Sequence, residues 1–165
     1  MLGDFLDGVR VLDLSQFLPG PFATQLLADM GAEVVKIERP GVGDQAREYG
    51  PFLKDQPHHE RSGLFLYLNT NKKGVTLDPS SVSGRDLLNK LVADADVLVE
   101  NYPPSRSKEL GLDHASLAET NPGLVVTSIT PFGQTGPYRD FEATDIVTYA
   151  LSGLMYHSGD SDQPP

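Results

Sequence analysis

The chain has 165 residues, with 13 Lys and Arg against 23 Asp and Glu, a formal net charge of −10 at pH 7. Hydrophobic residues make up 39%, enough for one ordinary domain with a core and too little for two large ones. The acidic balance argues against nucleic-acid binding, which needs a basic face, and the lack of cysteine excludes disulfides, thiolate metal sites and Cys nucleophiles.

Met1-Leu2-Gly3-Asp4 carries no basic stretch leading into an apolar run, so no signal peptide is expected there. No apolar run approaches the roughly 18–20 residues that a membrane span needs. A cytoplasmic protein without a membrane partner is the expectation.

Val9 to Leu14 reads as a strand. The segment Pro21 to Met30 follows as a helix, with Phe22, Leu26, Leu27 and Met30 on one apolar face, Pro21 in its first turn and Gly31 at its stop. Glu33 to Glu38 is a second strand, and the Gly- and Pro-rich stretch Arg39 to Arg61 reads as a surface loop. Gly63 to Leu68 is compatible with helix or strand, and Lys73 to Asp78 is a strand. Ser83 to Ala95 is the clearest helix, with Leu87, Leu88, Leu91, Val92 and Ala95 sharing a face. Asp96 to Glu100 and Leu124 to Thr130 read as buried strands around a helix at Ser116 to Glu119, and Thr144 to Tyr156 closes the pattern as a helix.

Apolar strands interleaved with helices indicate an α/β fold, a Rossmann-like parallel sheet with helices on both faces. The chain stops at Gln163-Pro164-Pro165, a turn-like sequence with no terminal element, and so reads as interrupted.

A dinucleotide site needs G-x-G-x-x-G directly after the first strand. Here the loop is Ser15-Gln16-Phe17-Leu18-Pro19-Gly20-Pro21, with one glycine between two prolines, so a classical NAD site is not expected. No nucleophile elbow and no P-loop is present. His58-His59-Glu60 is the one cluster of metal-capable residues, and adjacent side chains in a loop seldom converge on one ion, so no metal is expected.

In open parallel sheets, ligands bind beyond the carboxyl ends of the strands. Asn101-Tyr102 lies there and offers an amide and a stacking ring, or simply a strand-exit turn. Arg39 also lies at a strand end and offers a phosphate contact, or a surface ion pair with Glu38 or Asp44. Phe132-Gly133-Gln134-Thr135-Gly136-Pro137-Tyr138 follows a third strand, with two glycines among aromatics. Together these loops predict a binding site at the sheet's carboxyl edge.

The ordered set Val11-Leu12-Asp13-Leu14 with Gly20-Pro21, then Gly31-Ala32-Glu33-Val34-Val35-Lys36-Ile37-Glu38-Arg39-Pro40-Gly41 and Asn69-Thr70-Asn71-Lys72-Lys73, spans the first half of the chain. Ala95-Asp96-Val97-Leu98-Val99-Glu100-Asn101-Tyr102, Asn121-Pro122 and Phe132 to Pro137 continue it. In this order and spacing the chain resembles the N-terminal half of the family III CoA-transferases. That group includes formyl-CoA transferase, the carnitine and bile-acid-inducible CoA-transferases, and the related alpha-methylacyl-CoA racemase.

The resemblance implies that residues 1–165 are the CoA-binding, Rossmann-like portion, with a second, smaller domain outside them. It implies CoA contacts from Gln16, Leu18 and Pro19, a phosphate contact from Arg39, adenine-side contacts near Leu77, and contacts from Asn101 and Tyr102. Ser80 stands where some members carry Lys, and Glu109 where many carry Arg, with Arg106 or Lys108 adjacent. The substrates implied are a CoA thioester and a small carboxylic acid, with no permanently bound cofactor, and the assembly implied is a homodimer of the full-length form. The Asp nucleophile of the transferases falls past Pro165, so the 165 residues alone are expected to be inactive.

A racemase-like alternative gives Asp145 an acid–base role, with His114 as a possible partner. Against it stands Asp145 as a helix N-cap. An NAD-binding module and a non-catalytic interaction domain are the alternatives from other classes.

Overall fold

The computed structural model describes residues 5–159. Met1-Leu2-Gly3-Asp4 and Gln163-Pro164-Pro165 lie outside the described residues. The chain divides into two compact units, Met1–Ile129 and Thr130–Pro165.

The first unit carries β1 (Arg10–Asp13), α1 (Pro19–Asp29), β2 (Glu33–Glu38), α2 (Gly63–Leu68), β3 (Lys73–Thr76), α3 (Val82–Ala93), β4 (Val97–Glu100), α4 (Pro104–Glu109), α5 (His114–Ala118) and β5 (Val125–Ser128). Its five strands form one sheet in the order β3-β2-β1-β4-β5, and every pairing is parallel. Order reverses between β1 and β4, which makes their carboxyl ends the topological switch point of a doubly wound α/β fold.

Period-2 alternation sends side chains to two cores. On one face Leu12, Leu14, Val35, Ile37 and Leu98 pack with Leu88 and Val92 of α3 and with Leu117 of α5. On the other, Val11, Val34 and Val99 pack with Leu27 and Ala28 of α1. Helices therefore cover both faces.

Three expectations are corrected. Helix α1 begins at Pro19 and buries Gly20, Pro21, Thr24 and Gln25, while Phe22 and Leu26 stay 42% and 43% exposed and Met30 37%. The sheet surface beneath α1 is charged at its carboxyl half, so Thr24 and Gln25 turn inward, and of the apolar face that periodicity singles out Leu27 packs on the sheet while Phe22, Leu26 and Met30 turn away. Strand β5 is a sheet edge with Val125 exposed, rather than a buried strand. The stretch 39–61 is not an unstructured surface loop. It holds short 3₁₀ turns at Gln45–Glu48 and Leu53–Asp55, and Ser62, which caps α2 through Phe65 N, also donates to the carbonyls of Ala46 and Tyr49. Gly63–Leu68 resolves as helix, and α4 is a short helix that periodicity does not announce.

In the second unit, α6 spans Asp145–Leu151, followed by a 3₁₀ turn at Met155–His157. Among the described residues no helix is long and apolar enough to cross a membrane.

Candidate functional site

The carboxyl ends of β1 and β4 are joined by one amide. Asn101 Oδ1 accepts from Gln16 N at 2.9 Å, and Asn101 Nδ2 donates to Gln16 O at 2.8 Å. The side chain of Asn101 thus pairs with the backbone of Gln16 as a strand would. Gln16 and Tyr102 are both half-buried at this junction, and the buried Oε1 of Gln16 has no hydrogen-bond partner among the described residues. Burial pushes the Tyr102 hydroxyl above its ordinary value, while the adjoining Gln16 side chain and the charges of Arg39 and Arg106 pull it down. Gln16, Arg39, Tyr102 and Arg106 therefore share one neighbourhood.

Arg39 is exposed just past β2 and forms no ion pair among the described residues. The ion pairs weighed for it are taken by others. Glu38 receives Arg47 in a bidentate pair at 2.7 and 2.8 Å, and Asp44 receives Lys36 at 2.6 Å. A cleft of about 270 Å³ lies beside Arg39, lined also by Glu38, Gly41, Val42, Arg47 and Thr76. Leu18 and Pro19 are exposed where the chain enters α1. Proline at positions 19 and 21 removes two of the free N–H groups that a helix N-terminus would offer a pyrophosphate. Gly20 lies against Ser15, where an added Cβ would collide with the Ser15 hydroxyl. Leu77 is different: its side chain is part of the core beneath the site, and it is the adjoining Asp78 that is exposed.

Beneath the β1 loop lies a buried charge cluster whose members Asp13, Lys36, Glu38 and Lys72 fall in the segments that carry the resemblance, without a role assigned to them there. Asp13, Lys36 and Glu38 project from the α1 face of the sheet, continuing the rows begun by Val11 and Val34. Lys72 Nζ reaches Asp13 Oδ2 at 2.9 Å, Thr24 Oγ1 donates to the same oxygen at 2.6 Å, and the Ser15 hydroxyl donates to Asp13 Oδ1. Lys36 Nζ also donates to the carbonyl of Ser15. Burial, the largest influence on Asp13, would raise its carboxyl, yet Lys36, Lys72 and the two hydroxyls together hold it below its ordinary value. For Lys72 burial wins and its ammonium sits below the ordinary lysine value, despite Asp13. The signal was available in sequence: a strand flanked on both sides cannot bury Lys36 or Asp13 without a partner. The partner's identity was not.

Glu100 is a second buried carboxylate. It is fully buried on the α3 face at the end of β4, and its Oε2 accepts from Tyr102 N at 2.7 Å. Burial raises its carboxyl above the ordinary value, outweighing Ser128, Ser107 and the Tyr102 amide.

His58, His59 and Glu60 are exposed, and His59 and Glu60 line the cleft beside Arg39, with Glu60 on Arg47 at 3.1 Å; among the described residues no group of three His, Asp or Glu side chains could hold a metal. His114 is exposed at the start of α5. In the second unit Phe132, Tyr138 and Phe141 form an aromatic cluster with centroids 5.2–6.4 Å apart, and Gly133 and Gly136, both at positive φ, lie in the chain between Phe132 and Tyr138. Asp145 is not the helix cap: Thr144 holds that position, without a side-chain hydrogen bond, and Asp145 is the first helical residue, exposed.

The five-stranded parallel sheet with helices on both faces is a doubly wound α/β fold, and the carboxyl ends of its strands are where such folds hold their ligands. The chain belongs to CoA-transferase family III, whose pattern matches residues 6–165. It is 42% identical over 161 residues to succinyl-CoA:glutarate CoA-transferase of Mus musculus, covering 97% of this chain and 36% of that protein. It is 41% identical over 159 residues to acetyl-CoA:oxalate CoA-transferase of Acetobacter aceti, covering 96% of this chain and 40% of the relative. A CAIB/BAIF family protein from Brucella suis superposes with a TM-score of 0.87 at 37% identity, over 98% of this chain and 42% of the other. The chain thus spans about two-fifths of the length of the relatives it matches.

Proposed function

We propose that this chain is the CoA-binding part of an acyl-CoA:carboxylate CoA-transferase. The observation that carries the reading is the gathering of Gln16, Tyr102 and Arg39 over the switch point, in a chain that belongs to family III. Arg39 supplies an exposed cation for a phosphate, Gln16 an unpaired amide oxygen, and Tyr102 a ring at the strand end.

The reaction follows from carboxylate chemistry. An Asp carboxylate from sequence following Pro165 attacks the acyl-CoA carbonyl, expelling CoA thiolate and leaving a mixed anhydride. The thiolate attacks the aspartyl carbonyl of that anhydride, which releases the donor carboxylate and leaves an aspartyl-CoA thioester. The acceptor carboxylate then attacks this thioester, and the reverse sequence yields the new acyl-CoA and free Asp. The residues of this chain would hold the CoA moiety in place while its sulfur is exchanged. The half-exposed Phe22, Leu26 and Met30 on α1 suit burial in the homodimer of a full-length form.

Calorimetric titration of the chain with CoA and with NAD tests the reading. CoA is expected to bind and NAD not, because one glycine between two prolines gives no pyrophosphate cradle. Tighter binding of NAD than of CoA would overturn it.

A further inference from the structure

Phe17 is a non-glycine residue at φ 68°, in the loop that joins β1 to α1. A bulky side chain holds that conformation only where its surroundings over-determine it, and such positions cluster at functional sites. Three contacts act here. Asn101 brackets the preceding residue. The Phe17 ring packs edge-on against Tyr49 with centroids 4.9 Å apart. Asp44 Oδ1 accepts from Phe17 N at 2.9 Å.

Asp44 is placed to do more than satisfy one amide. It is 2% exposed, and its Oδ1 also accepts from Ala46 N at 2.8 Å. Its Oδ2 takes Lys36 Nζ at 2.6 Å, and the same ammonium donates to the carbonyl of Ser15. Its own amide donates to Glu38 Oε2 at 2.9 Å, and Gly43 N closes the turn onto Arg39 O at 2.9 Å. One carboxylate therefore ties the loop bearing Gln16 and Leu18 to the turn bearing Arg39, and anchors both to β2.

We propose that Asp44 is a positioning residue, which locks the Ser15–Leu18 loop in its strained form and fixes its distance from the Arg39 turn. A ligand touched by both loops then meets a preformed site and does not bear the cost of ordering them. The inference takes its ligand from the CoA reading above, but its structural claim stands apart from that reading.

The test uses the 165-residue chain with Asp44→Ala and Asp44→Asn, read by hydrogen exchange of segments 14–22 and 38–48 and by CoA titration. Asn keeps an oxygen for the two amides, and Ala keeps none. Asp44→Ala is expected to speed exchange in both loops beyond any change at 124–128, and to weaken CoA binding about tenfold. Asp44→Asn keeps Oδ1 for the two amides but gives up the ion pair with Lys36. It is therefore expected to recover most of the loop protection lost in Asp44→Ala and to bind CoA within about threefold of the parent. The unpaired Lys36 speeds exchange at 124–128 as well in both variants, through a loss of global stability. Unchanged loop exchange in folded Asp44→Ala, or an Asn variant as impaired as Ala, would overturn the proposal. If Asp44→Ala does not fold, Asp44→Ser, whose shorter hydroxyl cannot serve both amides, is read in the same way. If the parent chain binds no CoA, the CoA reading fails, and loop exchange alone decides the role of Asp44.

Discussion

Asn101 and Gln16 lie 85 residues apart in sequence, yet the side-chain amide of one meets the backbone N–H and C=O of the other at 2.9 and 2.8 Å. This pairing closes the gap between β1 and β4 where the sheet order reverses, and it sets where the Gln16 side chain stands. Asn101→Ala removes both bonds from a half-buried backbone and is expected to cost about 1–3 kcal/mol of stability. Asn101→Asp keeps the acceptor but turns a carboxylate oxygen toward the Gln16 carbonyl, so it should impair CoA binding without matching the alanine in lost stability. Thermal unfolding and calorimetry on the two variants check this. Parent-like CoA affinity in both would show that the clamp does not shape the site.

Glu100 gives a prediction with a defined sign. Its carboxyl is raised above the ordinary 4.5 by burial, so the folded state favours the proton. The associated stability is fully present below about 4.5 and is lost as pH rises through the folded value. Glu100→Gln keeps the shape and abolishes the buried charge. Its amide can donate to the hydroxyls of Ser107 or Ser128. The variant is expected to melt a few degrees above the parent at pH 8, with the advantage shrinking toward pH 4. A constant difference across that range would contradict the assignment.

Asp13 responds in the opposite direction. Lys36, Lys72 and the hydroxyls of Ser15 and Thr24 overcome burial and hold its carboxyl below the ordinary 3.8. A depressed carboxyl contributes stability above its unfolded value, and that stability is lost as pH falls through the folded value. Lys72→Met removes one of two cations from a buried carboxylate and should cost about 3 kcal/mol. It should also move acid unfolding to higher pH. Acid titration followed by circular dichroism reads the shift directly.

These buried charges mark the boundary of what the sequence discloses. Glu33–Glu38 is predicted to the residue, because a run of β-branched residues next to a glycine stop leaves little choice. The inward face of α1 is misread for a physical reason. Hydrophobic periodicity assumes an apolar floor, whereas Thr24 faces Asp13. Arg39, Asn101 and Tyr102 can be placed from sequence because strand ends bring them to one edge whatever the tertiary detail, whereas Gln16 is named by the family resemblance alone. Asp44 and Lys72 cannot be placed in this way, since their partners come from β1 and β2, and such pairing is set by the assembled sheet alone.

Asp145 separates the transferase reading from the racemase alternative. It is exposed at the first helical position of α6, with Thr144 at the cap. A charge there interacts with the helix terminus by about 0.5 kcal/mol. In a full-length protein carrying this segment, Asp145→Asn is expected to leave CoA transfer largely intact. An acid–base role would instead make the substitution abolish deuterium exchange at the carbon next to the thioester, which mass spectrometry of recovered acyl-CoA would reveal.

Arg39 is the exposed cation on which the anion end of the proposed site depends. Glu38 and Asp44, the acids nearest in sequence, are already engaged by Arg47 and Lys36, so the Arg39 guanidinium pairs with neither. Arg39→Ala should therefore change the fold little and weaken CoA binding. The loss should be greatest at low ionic strength, because an exposed ionic contact is screened as the Debye length shrinks from about 30 Å at 0.01 M salt to about 10 Å at 0.1 M. Titrations of parent and variant at both salt levels supply the comparison. Parent affinity should fall with salt more steeply than variant affinity, so that the two converge. Parallel salt dependences would mean that Arg39 does not touch a charged group of the ligand.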